Sequence, residues 1–155
     1  MTNRSKLRGI KPNEIKNMEL KIITDCSGVD WQVIADSLKR VGMVCHAPEV
    51  HKRAFEASHT TIFVYEESQL IGFGRALSDG EYQGAIYDVA VLPEAQGKGI
   101  GKVIIQAILD RLPNCNIILY SSPGMQGFYK KLGFRSMKTG MALFTTPQAM
   151  EKFTE

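Results

Sequence analysis

Cysteine is scarce in this chain. Cys26, Cys45 and Cys115 stand far apart among 155 residues, their number is odd, and no CxxC pair occurs. That pattern excludes a disulfide framework and leads us to expect buried free thiols in a reducing compartment. His46, His51 and His59 lie near Cys45, yet their spacing fits no zinc-ligand pattern, so no metal is expected. Long hydrophobic runs are missing too. Val103–Leu109 is interrupted by Gln106 and falls well short of the ~20 apolar residues that a membrane helix needs. No apolar stretch comes after the N-terminal positive residues, which argues against a signal peptide. Aromatic residues are absent from residues 1–21, although this segment holds six basic residues against two acidic ones, a net +4. The other 13 basic and 14 acidic residues leave a net −1. A basic segment without aromatics does not suit nucleic-acid binding and is expected to be a solvated arm or to pack on a neighbouring subunit. The expectation is a cytoplasmic protein whose work involves neither nucleic acid nor membrane.

What is present suits a single compact domain. Apolar residues make up 44% and charged residues 23% of the chain. Patterning divides it into a basic extension, 1–18, and a domain, 19–155. Leu20–Thr24 reads as a strand, and either Asp25 or Ser27 could cap the next helix. Val29–Arg40 has helical spacing, with Trp31, Ile34, Ala35 and Leu38 on one face. Pro48–Ser58 reads as a second helix with Val50, Ala54 and Phe55 inward. Thr61–Tyr65, Leu70–Leu77 and Gln83–Leu92 form an antiparallel meander, turned at Glu66–Gln69 and at Asp79-Gly80. Gly72 and Gly74 suggest twist or close backbone approach. A loop over Pro93–Gly99 leads to a helix ending near Leu112, with Ile100, Val103, Ile104, Ala107, Ile108 and Leu112 as its stripe. Ile117–Tyr120 reads as a strand and Met125–Leu132 as a helix. Phe134–Lys138 and Met141–Phe144 read as a last strand pair, and Pro147–Phe153 as a terminal turn or two capped by Thr146. The order βαα-βββ-αβ-αββ is an α/β (α+β) fold, with a mixed sheet of six to seven strands and about four helices.

One segment carries chemistry. Gln96-Gly97-Lys98-Gly99-Ile100-Gly101-Lys102 comes after a strand and opens a helix. A helix N-terminus offers unpaired N–H groups and partial positive charge, and glycines let a bulky anion come close. Lys98 and Lys102 add charge, so the segment suits a phosphate or pyrophosphate. A Walker loop would need Ser or Thr where Val103 stands, and the glycine spacing is not G-x-G-x-x-G. The alternative is a glycine-rich turn that binds nothing.

Gln96-x-x-Gly99-x-Gly101 resembles the Q/R-x-x-G-x-G/A signature of the GCN5-related N-acetyltransferases (GNAT). Asp88-Val89-Ala90-Val91-Leu92-Pro93 is similar to that family's fourth strand, and Phe128-Tyr129-Lys130-Lys131-Leu132-Gly133-Phe134 to its F-Y-x-x-L-G-F segment. The resemblance spans about residues 20–145. Residues 74–79 and 86–89 further resemble arylalkylamine-type members, plant serotonin N-acetyltransferases among them. The resemblance implies an enzyme that moves the acetyl group of acetyl-CoA, as co-substrate, onto the primary amine of a small molecule by direct attack with general acid and base help. It implies pyrophosphate contacts around Gln96, Gly97, Lys98, Gly99, Ile100, Gly101 and Lys102. The pantetheine arm would lie along the backbone of Val89, Ala90 and Val91, with N–H groups near Val89 polarising the thioester carbonyl. Ser122 stands where the family often has an Asn that contacts the pantetheine, and its shorter side chain can still form one hydrogen bond. Tyr129 matches the family's tyrosine, the acid that protonates the departing thiolate; the alternative is a ring that only packs under the cofactor helix.

Asp88 is a charged residue in an otherwise apolar strand. It could accept the amine proton, bind a cationic substrate or pair with Arg75 on the neighbouring strand. Asp79 and Glu81 read as solvated turn residues. Trp31, Phe55 and Tyr87 could wall an acceptor pocket or belong to the core. Two other functions stay open, an acyl-CoA-binding module without turnover and an acetyltransferase acting on protein N-termini or lysines. A homodimer is compatible with either.

Overall fold

A computed structural model of the chain describes residues 18–155, so most of the basic extension lies outside the described residues. In chain order, the elements are β1 (Leu20–Ile23), α1 (Trp31–Arg40), α2 (Pro48–Glu56), β2 (Thr60–Glu66), β3 (Gln69–Ser78) and β4 (Gln83–Val91). A single 3₁₀ turn (Pro93–Ala95) then precedes α3 (Ile100–Arg111), β5 (Asn116–Ile118), α4 (Gln126–Lys131) and α5 (Pro147–Phe153). The chain divides into two compact units, a larger one ending at Leu119 and a smaller one from Tyr120 to Glu155.

The larger unit is built on one mixed sheet with the order β1-β2-β3-β4-β5. The first three pairings are antiparallel and β4–β5 is parallel. β2 turns into β3 through Glu67 and Ser68, both at positive φ (48° and 67°), the geometry of a two-residue hairpin turn whose twist matches its strands. At the β3–β4 turn, Asp79 accepts hydrogen bonds from the N–H groups of Glu81, Tyr82 and Gln83 at 2.8, 2.9 and 3.1 Å. These bonds hold its carboxyl below the usual range, so Asp79 organises the turn.

The sheet is covered on both faces. On one, Ile34 and Leu38 of α1 and Phe55 of α2 pack with Phe63, Leu70, Phe73 and Ala90. Burial of each such Phe, Leu or Ile side chain contributes roughly 1.5–3 kcal/mol. Trp31 joins this core, its ring centroid 5.6 Å from Phe55 and 6.2 Å from Phe63. On the other face α3 lies close against the sheet because β3 carries glycines there. A Cβ on Gly72 would stand 3.0 Å from Ile104 Cδ1, and one on Gly74 only 2.8 Å from Ile104 Cγ2. The close approach expected at these glycines is therefore present.

Several expectations change. Asp30, rather than Asp25 or Ser27, caps α1, because its carboxylate reaches the N–H groups of Gln32 and Val33 at 3.0 and 3.4 Å. In α2, His51 and Phe55, one turn apart, face inward, while Val50 is exposed. All three cysteines are free, but only Cys115 is buried; Cys26 is half-buried and Cys45 exposed.

The smaller unit holds the largest difference. Among the described residues the sheet has five strands rather than six to seven, and neither Phe134–Lys138 nor Met141–Phe144 forms a ladder. A strand needs a partner for its backbone groups, and an isolated hairpin is marginal. Met141 and Leu143 are 99% and 94% exposed. Phe144 instead packs with Tyr120 and Phe153, the three ring centroids lying 5.1–5.5 Å apart. Thr146 caps α5 as expected, accepting from Ala149 N–H at 3.2 Å.

Candidate active site

The glycine segment takes a conformation that its residue types permit. Gly97 and Gly99 lie at φ +76° and +83°, a left-handed region that side chains other than glycine rarely enter. Gly99 is the N-cap of α3 and has no side chain to offer, so the first-turn N–H groups of α3 carry no side-chain cap. α1 and α5 are capped by Asp30 and Thr146, whereas α2 and α4, like α3, have no side-chain cap. No acidic residue sits in the first turn of α3, and Lys102 does. Gln96, Gly97, Lys98 and Gly99 are exposed, whereas Ile100 is buried and anchors the helix. Uncapped donors at a positive helix end form an anion cradle. Gln96 also has a structural part: its Nε2 donates to the Val91 carbonyl at 3.0 Å, tying the loop to the end of β4. A second tie was not foreseen. Arg40 at the end of α1 grips Glu94, just ahead of the loop, through Nη2 at 2.9 Å and Nη1 at 3.4 Å.

Beside this cradle two parallel strands part. The β4–β5 ladder ends at the Ala85–Ile118 pair, while β4 continues to Val91. Among the described residues, Val89, Ala90 and Val91 therefore lie on a strand edge without a ladder partner, of the kind that accepts an extended chain. Their side chains are half-buried, buried and half-buried.

β4 is also irregular here. Phe73 pairs with Ala90 and Arg75 with Tyr87, so the single residue Gly74 faces two, Asp88 and Val89. This is a β-bulge, and Asp88 sits in it at φ +53°. The bulge brings Tyr87 and Asp88 together against Arg75. Arg75 Nε donates to Asp88 Oδ2 at 2.6 Å. The guanidinium carbon lies 5.6 Å from the Phe55 ring centroid and 5.4 Å from that of Tyr87. Of the parts considered for Asp88, the geometry realises the pairing with Arg75. Phe55 is fully buried and Trp31 packs on it, so of the three candidate pocket walls those two belong to the core. His51 is 3% exposed nearby, its Nε2 accepting from His46 N–H at 2.8 Å. Burial pushes its pKa down, while the charge of Asp88 opposes the shift.

The smaller unit carries Ser122 and Tyr129. Ser122 is half-buried in a loop, where its carbonyl accepts from Met125 N–H at 3.0 Å. Tyr129 lies in α4 with its ring edge-on to Phe128 and Phe134, at 5.0 and 5.7 Å. Burial raises the pKa of its hydroxyl, so the phenol keeps its proton throughout the neutral range.

Comparison with known proteins gives these features a context. The family model for the acetyltransferase (GNAT) domain matches residues 33–142. The uncharacterized N-acetyltransferase ycf52 of Pyropia yezoensis is 43% identical over 128 residues, covering 78% of this chain and 72% of that protein. Serotonin N-acetyltransferase 2, chloroplastic, of Oryza sativa subsp. japonica is 30% identical over 137 residues, covering 81% and 68%. Among solved structures, a GNAT family acetyltransferase of Streptococcus pneumoniae superposes with a TM-score of 0.69 at 21% identity, covering 81% of this chain and 98% of that one. A likeness at that identity speaks for the fold alone.

Proposed function

This chain belongs to the GNAT family of acetyltransferases, and we propose that it transfers the acetyl group of acetyl-CoA to the primary amine of a small molecule. One observation carries the reading: an uncapped helix N-terminus behind two left-handed glycines stands next to the open edge of β4. Such a cradle suits the pyrophosphate and such an edge suits the pantetheine arm of one extended ligand. Acetyl-CoA supplies an already activated thioester. The protein then has to hold it, polarise its carbonyl, accept a neutral amine and protonate the leaving thiolate. The loop from Gln96 to Lys102 holds the phosphates, and Val89, Ala90 and Val91 align the arm, with Ser122 as a further contact. Backbone N–H groups at the bulge polarise the carbonyl. Tyr129, whose phenol carries its proton at neutral pH and whose pKa burial raises further, is the acid. Asp88 is engaged by Arg75, so the amine proton leaves through water rather than to that carboxylate.

The acceptor is a small amine with an apolar body. Leu77, Ala85 and Ile118 stand side by side across β3, β4 and β5, and Leu77 and Ile118 are exposed. Tyr87 is next on the same face. Such a floor suits a ring or an alkyl chain better than a charged peptide. The test is a panel of arylalkylamines, polyamines, aminosugars and peptides incubated with acetyl-CoA, with products read by mass and thiol release read by colour. Thiol release matched by one acetylated small amine is the expected result. Acetyl-CoA binding with no release for any amine would make the protein a binding module. Acetylation of peptides alone would move the acceptor to proteins.

A further inference from the structure

The bulge in β4 is an unusual place for an aspartate. At φ +53° Asp88 occupies a region that residues with a Cβ enter reluctantly, although Asp and Asn do so several-fold more often than the rest. Such a conformation persists when its surroundings over-determine it. Here they do so from both faces of the sheet. On one face Arg75 grips the Asp88 carboxylate at 2.6 Å. Arg75 is itself held: Nη1 donates to Ser58 Oγ at 3.3 Å, and Ser58 Oγ donates to the Ala54 carbonyl at 2.7 Å, one turn back in α2. Its guanidinium lies between the rings of Phe55 and Tyr87, and Phe55 is locked in the core against Phe63 at 5.6 Å. On the other face, Val89 fills the space left by Gly74, where a Cβ would meet Val89 Cγ2 at 3.2 Å.

We infer that Arg75 is a positioning residue that clamps the β4 bulge by holding Asp88 in its left-handed conformation, and so fixes the direction of the backbone groups at Asp88 and Val89. The inference rests on the acetyl-transfer reading, in which those groups meet the thioester carbonyl. Arg75 touches no reactant and acts through Asp88. An ordinary structural ion pair would make a different prediction. It would be indifferent to whether residue 88 tolerates positive φ and would care only about the lost charge.

Glycine and alanine separate the two cases, because both remove the carboxylate and only glycine adopts φ +53° freely. The test uses the full chain with Asp88→Ala, Asp88→Gly, Arg75→Met, and Arg75→Met in the Asp88→Gly background. Activity is read as kcat and amine KM. Conformation is read separately, from the amide resonances of Gly74, Val89 and Ala90. For a clamp, Asp88→Ala lowers kcat about tenfold or more with amine KM changed less than about twofold, and shifts those resonances. Asp88→Gly recovers kcat to within about threefold of the parent, with resonances near the parent's. Arg75→Met lowers kcat in the parent but changes it less than about twofold in the Asp88→Gly background. Equal behaviour of Asp88→Ala and Asp88→Gly would overturn the clamp, as would an equal cost of Arg75→Met in both backgrounds. If Arg75→Met does not fold, Arg75→Lys, which keeps a cation but loses the planar guanidinium, replaces it in both backgrounds. A parent protein that transfers no acetyl group would remove the proposed function, while the resonances would still judge the clamp.

Discussion

Two side chains have properties set by burial, in opposite directions. Tyr129 is held above the ordinary phenol range, so at neutral pH it can give a proton but cannot take one. Tyr129→Phe keeps the ring against Phe128 and Phe134 and removes only the hydroxyl. We expect kcat to fall roughly 10²–10⁴-fold with the acetyl-CoA Kd little changed. Near-parental turnover would leave the enzyme without this acid. His51 is pushed below its ordinary value of 6.5, chiefly by burial. Its Nε2 must stay unprotonated to accept from His46 N–H. The unfolded chain takes up the proton first, so the stability is whole above pH ~6.5 and is lost as pH falls toward the lowered folded value. The melting temperature should therefore drop as pH falls below about 6.5. His51→Gln, which retains an acceptor, should flatten that slope, and an unaltered slope would assign it to other groups.

At the scale of elements, the contact between α3 and β3 depends on the absence of two side chains. Gly74→Ala would place a Cβ 2.8 Å from Ile104 Cγ2, so helix or strand must shift. Overpacking of this kind costs about 1–3 kcal/mol, which denaturant titration would detect. Gly28→Ala, where a Cβ would meet nothing within 4 Å, is the control and should lie within about 0.5 kcal/mol of the parent. An equal cost at both sites would refute the close-packing argument. Both glycines of β3 and most of the stripe of α3 were legible in the sequence, because a helix stripe and a missing side chain are local facts, although Ile105 is buried where Val103, only half-buried, was expected. The glycine loop was legible for the same reason. The bulge was not, since it arises from the register of two strands, and only the stray charge of Asp88 hinted at it. His51 was missed because hydrophobicity favoured Val50 as the inward residue, while the hydrogen bond from His46 N–H, which satisfies the buried ring, comes from a loop residue that helical spacing does not place. The final strand pair was read from two local segments, and a local reading is silent on whether a partner edge exists.

At the scale of the whole molecule, charge is divided unevenly. Residues 1–17 hold five basic residues and one acidic, a net +4, so removing them turns the formal charge from +3 to −1. Acetyl-CoA is an anion, and two sources of attraction compete to explain its capture. One is the overall positive field, which the first 17 residues create. The other is local: the uncapped N-terminus of α3 with Lys98 and Lys102 beside it. At physiological ionic strength charges are screened over about 8 Å, so remote charge contributes little to a bound state. A helix end in direct contact keeps its effect, since its donors touch the anion. Deleting residues 1–17 should thus leave the acetyl-CoA Kd within about twofold at 0.15 M salt, measured by calorimetry on a variant whose unfolding transition matches the parent's. At low salt the association rate should slow, because steering acts at a distance that dilute salt no longer screens. A tenfold or greater loss of affinity at 0.15 M salt would mean that the basic segment itself reaches the ligand, and the cradle at α3 would then be only part of the binding site.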